Sequence, residues 1–180
     1  MACLGIEKIA SVTLHYRFSS TLKRMRLFHA SQCIYPPGSR VVATEQSSFY
    51  PRAVPVLEQA RPSGLPYRDI CLFATDDLEF AYFFALRQRW PSNSIRLYEV
   101  KMETFHRGPM AIVHAIDSHI KESKNTSELL AEYWAPQHKW HYFECVGPEM
   151  EIVGSVEVPS INEIIMSLNY QGDANKASRM

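Results

Sequence analysis

The stretch "DICLFATDDLEFAYFFALRQRWP", residues 69–91, constrains the fold more than any other part of the chain. An unbroken apolar run from Ile70 to Ala74 stops at a hydroxyl and two acids, and a helical pattern dense in rings follows. A short apolar run bounded in this way reads as a buried strand. Thr75 can cap the helix behind it through its hydroxyl. Acids at Asp76 and Asp77 in the first turn and bases at Arg87 and Arg89 in the last suit the helix dipole. Pro91 then stops the helix, because it has no N–H to continue it. One strand–turn–helix corner is thus fixed, and the remaining elements have to pack around it.

Strands dominate what remains. "IASVTLHYRF" (9–18) alternates well enough for a first strand, and "RMRLFHAS" (24–31) reads as a second that ends at His29. "IRLYEVKM" (95–102) alternates too, and "WHYFECV" and "MEIVGSVEV" are two more strands broken by Gly147 and Pro148. "SELLAEYWAP" is a short helix ended by Pro136, and "SINEIIMSL" is a last one. Residues 32–69 carry eight prolines and glycines and read as loop, with one short helix around "AVPVLEQA". The tail, residues 169–180, reads as disordered because it is polar and poor in core residues. The expected class is α+β, one domain over residues 1–168.

One domain is also what 180 residues allow, since two cores would each be small. Nineteen bases balance nineteen acids, so no global field draws the chain to nucleic acid or an anionic surface. Locally, Arg17, Lys23, Arg24 and Arg26 face no acid; they read as a solvated arm and keep a nucleic-acid partner open. No apolar run approaches the roughly 18 residues that span a bilayer. Glu7 and Lys8 break the short apolar start, so no signal-peptide pattern is present. The expectation is a cytoplasmic protein without a membrane partner.

Motifs that carry common chemistries are weak. His138 and His141 would face opposite sides of a strand, and no third ligand stands at a supporting spacing, so no metal is expected. The four cysteines are scattered, and Cys71 and Cys145 lie in apolar runs as core residues do. The seven glycines form no phosphate-cradling loop.

Three segments say more together: "LFHAS" (27–31), "LFATDDLEFAYFF" (72–84) and "HYFECVGPEMEIVGSVEV" (141–158). In order and in strand placement they resemble the ADP-ribosyltransferase superfamily, in its diphtheria-toxin-like and poly(ADP-ribose)-polymerase-like branch. That branch carries a histidine on an early strand, a tyrosine on a middle strand and a glutamate on a late one. "LFHAS" also resembles small rifampin-modifying and phage-encoded members. "HAS" (His29, Ala30, Ser31) matches the first motif, and Phe73 with Phe84 eleven residues on matches the second. A register one residue earlier would use Leu72 and Phe83, and Tyr82 is an alternative second ring. Glu144 matches the third motif. The resemblance runs from about Arg26 to Val158 and departs from the branch twice. Phenylalanine replaces the middle tyrosine, and Tyr142 stands where arginine-specific members carry an acid or glutamine.

The resemblance implies a split β-sheet core and a mono-ADP-ribosyltransferase that uses NAD as co-substrate, with a macromolecular acceptor, protein first and nucleic acid second. It implies Glu144 and His29 as catalytic groups, and His29, Ala30, Ser31, Phe73, Tyr82 and Phe84 as NAD contacts. The chemistry suits these residue types. Cleaving nicotinamide from ribose passes through an oxocarbenium-like state that a carboxylate stabilises, and aromatic faces attract the cationic nicotinamide ring. Two other functions share the pattern: transfer to a small molecule such as an antibiotic, and a binding module with a dead site. The loop from Pro36 to Pro66 and the segment from His106 to Ser127 are the expected acceptor-selecting regions. For Glu144 itself, strand alternation with Tyr142 and Val146 suggests an exposed edge position.

Overall fold

The computed structural model describes residues 25–44, 46 and 49–180. The strand expected over residues 9–18 and most of the basic arm lie outside these residues. In chain order the strands are β1 (Leu27–Ser31), β2 (Arg40–Val42), β3 (Leu72–Ala74), β4 (Arg96–Lys101), β5 (His106–Pro109), β6 (Phe143–Gly147) and β7 (Glu149–Val156). The helices are α1 (Ala53–Gln59), α2 (Leu78–Arg87), α3 (Met110–Lys121), α4 (Ser127–Trp134) and α5 (Glu163–Ala177). Mixed α+β is the class observed.

The strands form two antiparallel sheets. One runs β1-β4-β7-β2 and the other β3-β6-β5. They meet where the end of β3 crosses to β1. There Phe28 N–H donates to the Thr75 carbonyl at 2.7 Å, and Thr75 N–H donates back at 2.9 Å. Leu27, Tyr98, Val100, Cys145, Met150 and Ile152 fill the space between the sheets. α1, α3 and α4 pack a second cluster against Phe143, and α2 covers β1 and β4 through Phe28, Ala81, Ala85 and Leu97. No helix among the described residues is long and apolar enough to cross a membrane.

The strand–turn–helix corner is present with one change. Asp77, not Thr75, caps α2, accepting the Phe80 N–H at 2.8 Å, while Thr75 is spent on the bridge between the sheets. β1 runs on past His29 to Ser31, because all five of its residues pair with β4.

Two expectations are overturned by packing. The segment His106–Ser127 is not a loop: β5 and α3 occupy most of it. Ile112, Ala115, Ile116 and His119 are all buried on α3, at the spacing of one helix face. The tail is not disordered either. α5 reaches Ala177 because Met166, Asp173 and Ala177 are buried on one side of it. The stripe is thin, and a carboxylate stands in its middle. That carboxylate accepts the backbone N–H of His141 at 2.9 Å and of Tyr142 at 3.3 Å, and so ties α5 to the foot of β6.

Candidate functional site

β6 is the centre strand of its sheet, between β3 and β5, and all five of its residues are buried. With both faces covered, alternation has no solvent side to report. The expected edge position of Glu144 is therefore wrong: Glu144 is 3% exposed. A carboxylate at that depth needs partners, and it has them. Arg68 Nε donates to Oε1 at 2.7 Å and Arg68 Nη2 to Oε2 at 3.1 Å, a bidentate pair. The Tyr133 hydroxyl donates to Oε1 at 2.6 Å. Arg68 is itself only 1% exposed. Burial is the strongest single influence and would lower its pKa, but the charge of Glu144, the neighbouring Tyr133 and the hydrogen bond to Glu144 together outweigh it and raise the pKa above the ordinary guanidinium value. Tyr133 is held well above the ordinary phenol value, by its burial first and by the Glu144 charge next.

Glu144 opens onto a cavity of about 140 Å³ between the two sheets and α2. Phe28, Phe49, Phe73, Phe80, Phe84 and Trp90 make its apolar wall, and His29, Arg68 and Glu144 are its polar groups. His29 comes from β1 and Phe73 from β3, at the seam of the sheets. The His29 Nδ1–H donates to the Phe73 carbonyl at 2.7 Å. A carbonyl can only accept, so the partner fixes the neutral tautomer and leaves Nε2 as an acceptor. Burial lowers the His29 pKa, the bond to Phe73 opposing it, which favours this neutral form.

Of the two registers open to the middle segment, it is Phe73 with Phe84 that faces the cavity. Phe73 lines it, whereas Leu72 points to the cluster between the sheets. On α2, Phe84 lines the cavity, while Phe83 packs with Met110 and Tyr142. Two expected contacts are not brought in. Tyr82 packs with Phe28, Ile95 and Leu97, two residues and so about 200° round the helix from Phe84. Ser31 is buried behind the strand end, where its Oγ accepts the Cys33 N–H at 3.0 Å. Ala30, small as expected, does line the cavity.

Several residues of the site were not foreseen, among them Phe49, Tyr50, Arg68 and Tyr133. The Phe49 ring lies edge-on to Phe73, with centroids 5.6 Å apart, and 5.9 Å from Phe84. Aromatic neighbours in an otherwise polar, proline-rich loop are a signal that this loop has somewhere to bury them. The adjacent Tyr50 also lines the cavity and has a left-handed backbone, φ 56°, unusual for a ring-bearing residue. Nothing in the sequence marks Arg68. Its guanidinium sits 5.3 Å from the Phe73 ring centroid, and its backbone N–H is held by Glu58.

Elsewhere the polar groups serve the fold. His138 pairs with Glu132 and His141 with Asp173. Burial pushes the Cys71 and Cys145 thiols up to about 12, so neither is a nucleophilic thiolate at neutral pH. No protein-family model matches this chain, and no curated protein matches it in sequence.

Proposed function

We propose that this chain is a mono-ADP-ribosyltransferase that cleaves the nicotinamide–ribose bond of NAD and passes ADP-ribose to a macromolecule, most readily a protein. One observation carries the reading. His29, Phe73 and Glu144, from three different strands, meet at a single apolar cavity, with His29 hydrogen-bonded to the Phe73 backbone. On this reading the two sheets joined at β1 and β3 are the split sheet of the ADP-ribosyltransferase superfamily.

The dimensions and chemistry suit the reaction. Apolar cavities of about 150 Å³ accept a benzene-sized ring, and this one, at about 140 Å³ with Phe73 and Phe84 in its wall, is of the size for the nicotinamide ring. Neutral His29 offers Nε2 to a ribose hydroxyl. When the bond from ribose C1′ to the pyridinium nitrogen breaks, its electron pair leaves with nicotinamide and positive charge develops on the ribose. The Glu144 carboxylate stabilises that charge in a site from which the surrounding rings exclude water. The acceptor's nucleophile then bonds to C1′ and releases its proton to solvent.

A second reading, a binding module with a silent site, has one observation in its favour. Both of the Arg68 bonds to Glu144 neutralise the carboxylate, and the guanidinium lies beside the ring that would stack on a cationic nicotinamide.

The test is incubation with adenine-labelled NAD and cell lysate, reading nicotinamide release and label on macromolecules. Release with label on protein supports the proposal, and Glu144→Gln should then cut release about 100- to 1000-fold. Release without labelled macromolecules points to a small-molecule acceptor. NAD binding without release supports the silent module, and neither binding nor release rejects both readings.

A further inference from the structure

Tyr133 is fully buried on α4, yet its ring reaches across to β6 and lies against the backbone of β5. Gly108 makes this approach possible. It stands directly opposite Glu144 in the pairing of β5 with β6. A Cβ at Gly108 would fall 2.5, 2.8 and 2.9 Å from three carbons of the Tyr133 ring. Such contacts do not occur, so any side chain there has to drive the ring away. The other end of Tyr133 is fixed from the same strand, where His106 Nε2 donates to the Tyr133 carbonyl at 2.9 Å. β5 thus holds Tyr133 at its backbone and at its ring, and the hydroxyl is delivered to Glu144 as a result.

The consequence is an asymmetric carboxylate. An ionised carboxylate has about four acceptor positions. Oε1 uses two of them, for Arg68 Nε at 2.7 Å and the Tyr133 hydroxyl at 2.6 Å. Oε2 uses one, for Arg68 Nη2, at the longer distance of 3.1 Å. From this we infer that Tyr133, seated by Gly108, is a positioning residue that saturates Oε1 and leaves Oε2 as the oxygen that meets the substrate hydroxyl. The inference rests on the NAD-cleaving reading of the same cavity and adds which atom of Glu144 works and what aims it.

Tyr133→Phe keeps the ring and removes only the hydroxyl. Its kcat for nicotinamide release should fall about 100-fold, the cost of a carboxylate displaced by about an ångström, with KM for NAD changed less than about threefold. Added to Glu144→Gln, the substitution should cost nothing more, because the two act through one group. Gly108→Ala, which keeps the hydroxyl but displaces it, should lower kcat in the same direction while the protein still melts cooperatively. Wild-type kcat in Tyr133→Phe, or a loss that adds to that of Glu144→Gln, overturns the inference while NAD cleavage stands. A wild-type protein that releases no nicotinamide overturns the parent reading, and the inference with it.

Discussion

Glu132 and Glu144 are buried almost equally, at 4% and 3% exposure, and they are opposite in kind. Glu132 is spent locally. Its Oε1 accepts the backbone N–H of Gln137 and of His138, both at 3.0 Å, and Trp140 Nε1–H at 2.8 Å, all from the turn just beyond its own helix. His138 Nδ1 closes on Oε2 at 2.9 Å. Such a carboxylate is a loop clamp, and its partners come from within eight residues. Glu144 instead draws Arg68 from 76 residues away and Tyr133 from α4, and it borders a cavity with an acceptor position left over. Burial and satisfaction are thus common to both carboxylates. What sets Glu144 apart, and supports the proposed role for it, is a partner drawn from far along the chain and an open space beside it.

The largest effect should come from Arg68. Arg68→Ala leaves Glu144 buried and unpaired, and should cost about 3–5 kcal/mol of stability by denaturant titration. The double substitution Arg68→Met with Glu144→Leu removes both charges and should recover most of that loss without restoring nicotinamide release. If Arg68→Ala melts like the parent, the Glu144 pair is no more critical than a surface one and the contrast fails.

A smaller effect should follow at the clamp. Glu132→Gln keeps an acceptor for the turn but loses the charge that its N–H partners favour, at a cost of about 1–2 kcal/mol. Turnover of NAD should be unchanged within twofold. A Glu132→Gln protein that folds but has lost turnover would show that the clamp, too, belongs to the site.

The smallest effect concerns pH. Burial lowers the pKa of His29 and of His106, so the unfolded chain binds their protons more tightly than the folded one. Their contribution to stability is complete above the ordinary histidine value of about 6.5 and declines as pH falls toward the lowered folded values. NAD turnover should fall only at the acid end of that window, where folded His29 Nε2 gains a proton and stops accepting. In His29→Gln, which keeps a hydrogen-bonding head, the loss of stability on acidification below about pH 6.5 should shrink. An unchanged profile would place the acid sensitivity elsewhere.

The strands bearing His29, Phe73 and Glu144 were legible because period-two patterning and flanking turns are local signals. The pairing of Glu144 with Arg68 was not legible, since Arg68 lies in an irregular stretch whose path only the tertiary fold decides. α3 carried a readable helical stripe, Ile112, Ala115, Ile116 and His119, but it began directly after Pro109 and lacked a side-chain cap. The part of α5 beyond the helix read over 160–168 was hidden by its own composition. Gly172 sits inside it, and one of its few buried positions is Asp173, whose value is to hold two N–H groups of another segment.

The seam between Phe28 and Thr75 has a consequence for how such a site would work. Each sheet is internally paired over several strands, yet among the described residues two reciprocal backbone hydrogen bonds, with the His29 side chain on the Phe73 carbonyl, join them beside the cavity. The distance between the His29 wall and the Glu144 wall therefore rests on a short seam. On the proposed reading, widening the slot for a dinucleotide would mean straining these three bonds rather than unzipping a sheet, and the entry of substrate would be a small adjustment of one joint.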